Sequence, residues 1–172
     1  MERSATFWMM EPLRKYATFS GRARRAEYWW FYLFYILVTV VTNIVDGITG
    51  VPVLSALAAL GLIIPFLAVA ARRLHDTNRS GWWMLAPTVA AIPYIFGMIT
   101  MVAGGLGAAA GANAGFGVLG AGGALTVISG LAMLGLGILL LVWFCTRGTD
   151  GPNRFGADPL GAGDDTLASD FA

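Results

Sequence analysis

Three polar runs hold most of the side chains in this chain that could bind or react. They are residues 21–30 (GRARRAEYWW), residues 72–83 (RRLHDTNRSGWW) and residues 148–159 (GTDGPNRFGADP). Together they set seven arginines, Arg22, Arg24, Arg25, Arg72, Arg73, Arg79 and Arg154, against four carboxylates, Glu27, Asp76, Asp150 and Asp158. Cations in excess leave guanidinium donors for an anion. Their planar forks suit phosphate, and such clusters beside a membrane attract anionic headgroups at about 1 kcal/mol per basic residue. The expected ligand is thus an anionic phospholipid or a phosphorylated small molecule.

The same residues also allow a purely structural account. Glu27 can pair with the arginines, Asp76 with Ser80 can cap the helix that follows, and Asp150 and Arg154 can join one ion-pair network, with His75 and Asn153 as further polar members. Arg72, Arg73 and His75 then complement the negative end of the helix they terminate. Both accounts stay open at this level. Catalysis has a weaker basis: His75, Asp76 and Ser80 are the residue types of a hydrolytic triad, yet they lie within six positions, with no separate elements to set their geometry. His75 or Asp76 as acid or base on a headgroup substrate is the remaining enzymatic option. Cys145 and His75 are the only residues of their kinds, so one chain offers no disulfide and no zinc site of the usual His and Cys ligands. No catalytic residue, metal or cofactor is assigned, and nucleic acid is not an expected partner.

What must position these runs is a set of membrane helices. Of the 172 residues 57% are hydrophobic and 12% charged, a composition foreign to soluble domains. From Trp82 to Thr146 no Lys, Arg, His, Asp or Glu occurs, which is room for two spans of about 20 residues. Four apolar stretches, 28–45, 51–71, 82–102 and 124–145, read as transmembrane helices. The Lys and Arg residues fall at alternate ends of them: six precede the first, three separate the second from the third, and two follow the fourth. Basic loops stay in the cytoplasm, so both termini and all three polar runs belong there. Trp29, Trp30, Trp82, Trp83 and Trp143 lie at the same ends, where amphipathic rings meet headgroups. The expected fold is an all-α membrane protein of four antiparallel helices, N-in and C-in.

Around that core, residues 1–27 read as a cytoplasmic arm. Within it Pro12 starts a short interfacial helix that presents Leu13, Tyr16 and Ala17 on one face. The first 27 residues lack an apolar run leading to a cleavage site, so no removed signal peptide is expected. Residues 46–50 form a tight turn between the first two spans. Residues 103–123, with nine glycines, read as a flexible external connection, although Gly107, Gly111 and Gly115 at four-residue spacing would let another backbone approach closely. The membrane domain closes near residue 160, and 161–172 form an acidic tail expected to be disordered. The spans themselves contain no ionisable side chain, which disfavours coupled ion transport; passive conduction would need an oligomer, with Gly97, Ala132 and Gly135 as close-contact positions.

The three runs, in this order over roughly Leu13 to Leu160, resemble the YhaH-like bacterial inner-membrane proteins grouped as a domain of unknown function, number 805. The resemblance implies a small four-span protein of the bacterial inner membrane and supplies no reaction. The chain departs from the family pattern at Asn78, at Ala157 and in the Gly/Ala-rich insertion before the fourth span. The function expected is therefore structural or accessory. An Arg-rich cytoplasmic face would bind anionic phospholipid, a larger membrane-protein complex or a second copy; the alternatives are a small oligomeric transporter or channel, then a lipid-headgroup enzyme.

Overall fold

The computed structural model describes residues 4–159, and its regular elements are helices: α1 (Ala5–Arg14), α2 (Arg25–Thr49), α3 (Leu54–Asp76), α4 (Ala86–Ala109) and α5 (Asn113–Cys145). A single turn of 3-10 helix, Gly81–Leu85, leads into α4. Among the described residues four helices are long and apolar enough to cross a membrane. Their outer surfaces keep large apolar groups exposed, among them Val41, Leu57, Leu60, Ile92, Leu131 and Leu134. In water such a surface would be a liability; against lipid it is the ordinary state. The acidic tail, 161–172, lies outside the described residues.

The boundary between α2 and α3 has a specific cause. α2 continues four residues beyond the apolar stretch that predicts it, so the first connection is residues 50–53 rather than 46–50. Asp46 explains the extension: from within α2 its carboxylate accepts the amides of Leu54 at 3.1 Å and Ser55 at 2.8 Å, filling the open N-terminus of α3. Gly50 then ends α2 in the left-handed region, φ 71°.

The described residues divide into two compact units, 4–81 with 143–159 and 82–142. In the first, α2 and α3 pack on each other and α1 packs on both. α1 corrects the sequence reading, since it starts at Ala5, well before Pro12, and contains that proline. Ser4 caps it by accepting the Phe7 amide, and Pro12 is buried in its last turn. Past α1, the hydroxyl of Tyr16 donates to the carbonyl of Gly61 at 2.7 Å. That carbonyl needs an outside donor: its helical partner would be residue 65, and Pro65 has no N–H. A membrane helix with an interior proline requires such a rescue, because lipid offers no donor.

In the second unit α4 and α5 fold back on each other, and here the expectation of a flexible connection over 103–123 fails. Both helices run into that segment, leaving only residues 110–112 between them, with Gly111 in the left-handed region at φ 82°. The glycines that make the segment a poor helix in isolation make it a good partner in a pair. A Cβ on Gly104 would strike the Leu119 backbone, one on Gly115 that of Ala108, one on Gly122 that of Met101, and one on Gly97 would meet Thr126. Contact positions 97, 101, 104 and 108 thus face 126, 122, 119 and 115, spaced four, three and four residues, the seam of two helices in very close approach. With 33 residues α5 is about 50 Å long, well beyond the roughly 30 Å of hydrocarbon.

Candidate functional site: an arginine clasp

The three polar runs meet within the first unit, at the end of α3. The second run contributes the last turn of α3, where residues 68–74 are all buried. Arg72, 2% exposed, bonds Glu27 of α2 at 2.5 Å, and Glu27 is itself buried. The Nε and Nη2 of Arg72 find no acceptor among the described residues. Arg73 is fully buried; it bonds Asp76 one turn on and donates to the carbonyls of Phe144, at 3.1 Å, and Thr146. A buried charge of this kind persists only when paired.

Asp76 is the hub. One oxygen receives Arg73, the other receives Nε of Arg22 at 2.9 Å. The remaining Arg22 donors go to the carbonyls of Gly151 and Thr149, each at 2.6 Å. Asp158 stands 3.9 Å from Arg22 and accepts the Gly151 amide. The third run is thereby tied to the first and second at once. Its Gly148 lies flat on the Asp76 carboxylate, where any Cβ would collide, and the Thr149 amide donates to the Asp76 carbonyl at 2.9 Å. Asn153 donates to the His75 carbonyl at 2.9 Å, and Phe155 stacks on the His75 ring with centroids 3.9 Å apart and planes 2° from parallel. His75 Nδ1 is 3.1 Å from the Gly21 carbonyl.

The remaining candidates sit at the edges. Arg79 donates to the Thr77 carbonyl and lies over the Trp143 ring, and Arg154 donates to the Asn78 carbonyl and covers Phe155. Asp150 pairs with Arg147 at an exposed surface instead of joining a network with Glu27 and Arg154. Asp76 does not cap the next helix, whose N-cap is Leu85 without a side-chain bond. Sequence reasoning missed Gly148, Phe155 and Tyr16. Only Tyr16 left a trace: Pro65 announces an orphaned carbonyl at Gly61, although nothing local names the donor.

Beside the clasp is a cavity of about 360 Å³, lined by Trp8, Arg22, Arg24, Arg25, Asp76 and Asp158, with Arg147 to Thr149 and Pro159 completing the wall. It opens at the start of α2, whose N-cap is Arg24, a residue that offers no side-chain acceptor. Arg24 donates to the Pro159 carbonyl and approaches the Trp8 ring, while exposed Arg25 reaches the Cys145 carbonyl at 3.4 Å. Neither has a carboxylate partner among the described residues. No group of three or more His, Cys, Asp and Glu side chains that could hold a metal occurs among the described residues.

Similar proteins are known from the bacterial inner membrane, in keeping with four long apolar helices. No solved structure matches the chain. The inner membrane protein YhaI of Escherichia coli K12 is 36% identical over 154 residues, covering 88% of this chain and 94% of its own length. The inner membrane protein YhaH of the same strain is 31% identical over 158 residues, covering 88% and 95%. A family model described as a protein of unknown function, DUF805, matches residues 16–157, which take in the first two polar runs, the third as far as Ala157, and the four long helices. This chain belongs to the DUF805 family.

Proposed function

We propose that this is a structural or accessory protein of the bacterial inner membrane, with four antiparallel spans, both termini cytoplasmic, and an arginine face that holds an anionic phospholipid headgroup. The observation that carries the reading is the cavity at the start of α2, where Arg24 and Arg25 bond only neutral carbonyls among the described residues. Guanidinium groups that meet carbonyls keep their full charge for a ligand, and helix N-terminal amides add to the attraction. The alternate placement of basic residues supports the cytoplasmic side for this face.

Arg72, Arg73 and Arg22 enter this reading as framework, since their carboxylates are already in place. A larger membrane complex or a second copy remains the further partner, through the exposed helix surfaces. The transporter and enzyme alternatives draw no support from the geometry. Asp76 spends both oxygens on arginines, and His75 lies flat on Phe155.

The test is lipid retention. Purified from its membrane in mild detergent and weighed by native mass spectrometry, the protein is expected to carry anionic phospholipid, and Arg24→Gln/Arg25→Gln to lose most of it. Retention unchanged in the double variant overturns the reading.

A further inference from the structure

The charges around the cavity can be taken pair by pair, and the remainder identifies the valence of the ligand. Arg22 and Arg73 stand against Asp76 and Asp158, two cations against two anions. Each nitrogen of Arg22 already bonds an acceptor, and its side chain is 2% exposed, so it serves chiefly to shape the wall. Arg147 faces Asp150 at 3.1 Å, with side chains 69% and 80% exposed, a pair that solvent screens and that contributes little field. Among the described residues of the lining two cations are left, Arg24 and Arg25, at consecutive positions on the lip of the cavity.

Their place in the fold adds to that charge. They are the N-cap and first residue of a 25-residue helix, whose end carries roughly half an elementary positive charge in its unpaired amides. Glu27, the one acid in that first turn, is drawn away into the buried pair with Arg72. Of the other carboxylates of the lining, Asp76 is bonded to Arg22, and Asp158 stands 3.9 Å from it while accepting the Gly151 amide. Among the described residues the lining therefore presents a net charge near +2 to whatever enters. A phosphodiester, with one negative charge, neutralises half of it. A terminal phosphate, carrying close to two charges above its second pKa of about 6, matches it. A volume of about 360 Å³ suits a compact head of this kind and lies at the low end of ligand sites.

We infer that this cavity selects a terminal phosphomonoester over a phosphodiester, held between Arg24, Arg25 and the first amides of α2. The inference rests on the headgroup reading above and sharpens it. Two sources share the chemistry: a membrane lipid ending in a phosphomonoester, and a small soluble phosphate ester.

The experiment uses full-length protein in phosphatidylcholine nanodiscs at pH 8, with a minor fraction of either dioleoylphosphatidate or dioleoylphosphatidylglycerol. Native mass spectrometry of the released protein reads the lipid retained. Phosphatidate is expected to be retained about five-fold more than phosphatidylglycerol, the effect of one further matched charge, with the preference lost in Arg25→Gln. Glycerol 3-phosphate and inorganic phosphate, added at millimolar concentration as competitors, separate the sources. Displacement by glycerol 3-phosphate assigns the site to a soluble ester, and resistance to it assigns the site to lipid. Equal retention of both lipids, lost together in Arg24→Gln/Arg25→Gln, overturns the phosphomonoester preference while the headgroup reading stands. Retention of neither lipid, or retention that the double variant leaves untouched, overturns both. Should the double variant not elute as a single species, the wild-type comparison of the two lipids decides the preference by itself.

Discussion

The two units solve one problem by opposite means. Residues 4–81 with 143–159 are held by directed bonds between groups far apart in sequence: Arg22 to Thr149 and Gly151, Arg72 to Glu27, Arg73 to Phe144. Residues 82–142 contain no charged side chain, and their two helices meet through glycines that bring backbone against backbone. In a bilayer the apolar effect does not draw helices together, since lipid tails are as apolar as leucine. What remains is polar bonding or shape. One unit uses the first, where its side chains end in guanidinium and carboxylate, and the other uses the second.

The comparison can be broken most severely at the buried pair. Glu27→Leu strands the Arg72 charge in a dry environment and is expected to cost about 3–5 kcal/mol, read as a shift in SDS-driven unfolding in mild detergent. Glu27→Leu/Arg72→Met, which removes both charges, should recover most of the loss, the more so because Arg72 leaves two donors without acceptors. A double variant as unstable as the single one would mean that the clasp depends on something other than charge pairing.

Shape is tested next. Gly122 faces the backbone of Met101, whereas a Cβ on Gly120 meets nothing within 4 Å. Gly122→Leu is expected to destabilise by about 3 kcal/mol, because the Met101 backbone it would strike cannot rotate away, and Gly120→Leu to leave the midpoint within experimental error. Equal effects of the two would refute the seam. A smaller effect, about 1 kcal/mol, is expected of Tyr16→Phe, which removes the donor to the Gly61 carbonyl. In a Pro65→Ala background the helix supplies its own donor, so there the same substitution should cost nothing; a cost retained in full would separate Tyr16 from the proline. At the bottom of the scale, Asp150→Asn breaks only an exposed pair and should shift stability by no more than about 0.5 kcal/mol.

The legibility of the fold follows the same division. Hydropathy and charge placement located all four long helices, since each is a sum over neighbouring residues weighed against one solvent. Their ends were less legible, because Asp46 acts across a turn on Leu54 and Ser55, a partnership that local sums do not contain. The segment 103–123 was misjudged on propensity: nine glycines weaken a lone helix, and only a second helix at close range turns them into an advantage. At the site the three runs were recognisable as a group, but all seven arginines looked alike. Burial and distance told them apart, committing Arg22, Arg72 and Arg73 to carboxylates and leaving Arg24 and Arg25 at the cavity, and Arg79 and Arg154 at the edges, with carbonyls.

By itself the sequence determined the solvent of this protein, the number of its long apolar helices and the polar runs at their ends, because transfer into lipid is nearly additive along a chain. Only the tertiary structure decided which charges cancel, which glycines touch a neighbouring backbone and which hydroxyl answers Pro65. Those outcomes depend on distances of a few ångströms between residues as much as 136 positions apart (Arg22 and Asp158), and no local property of the chain encodes them.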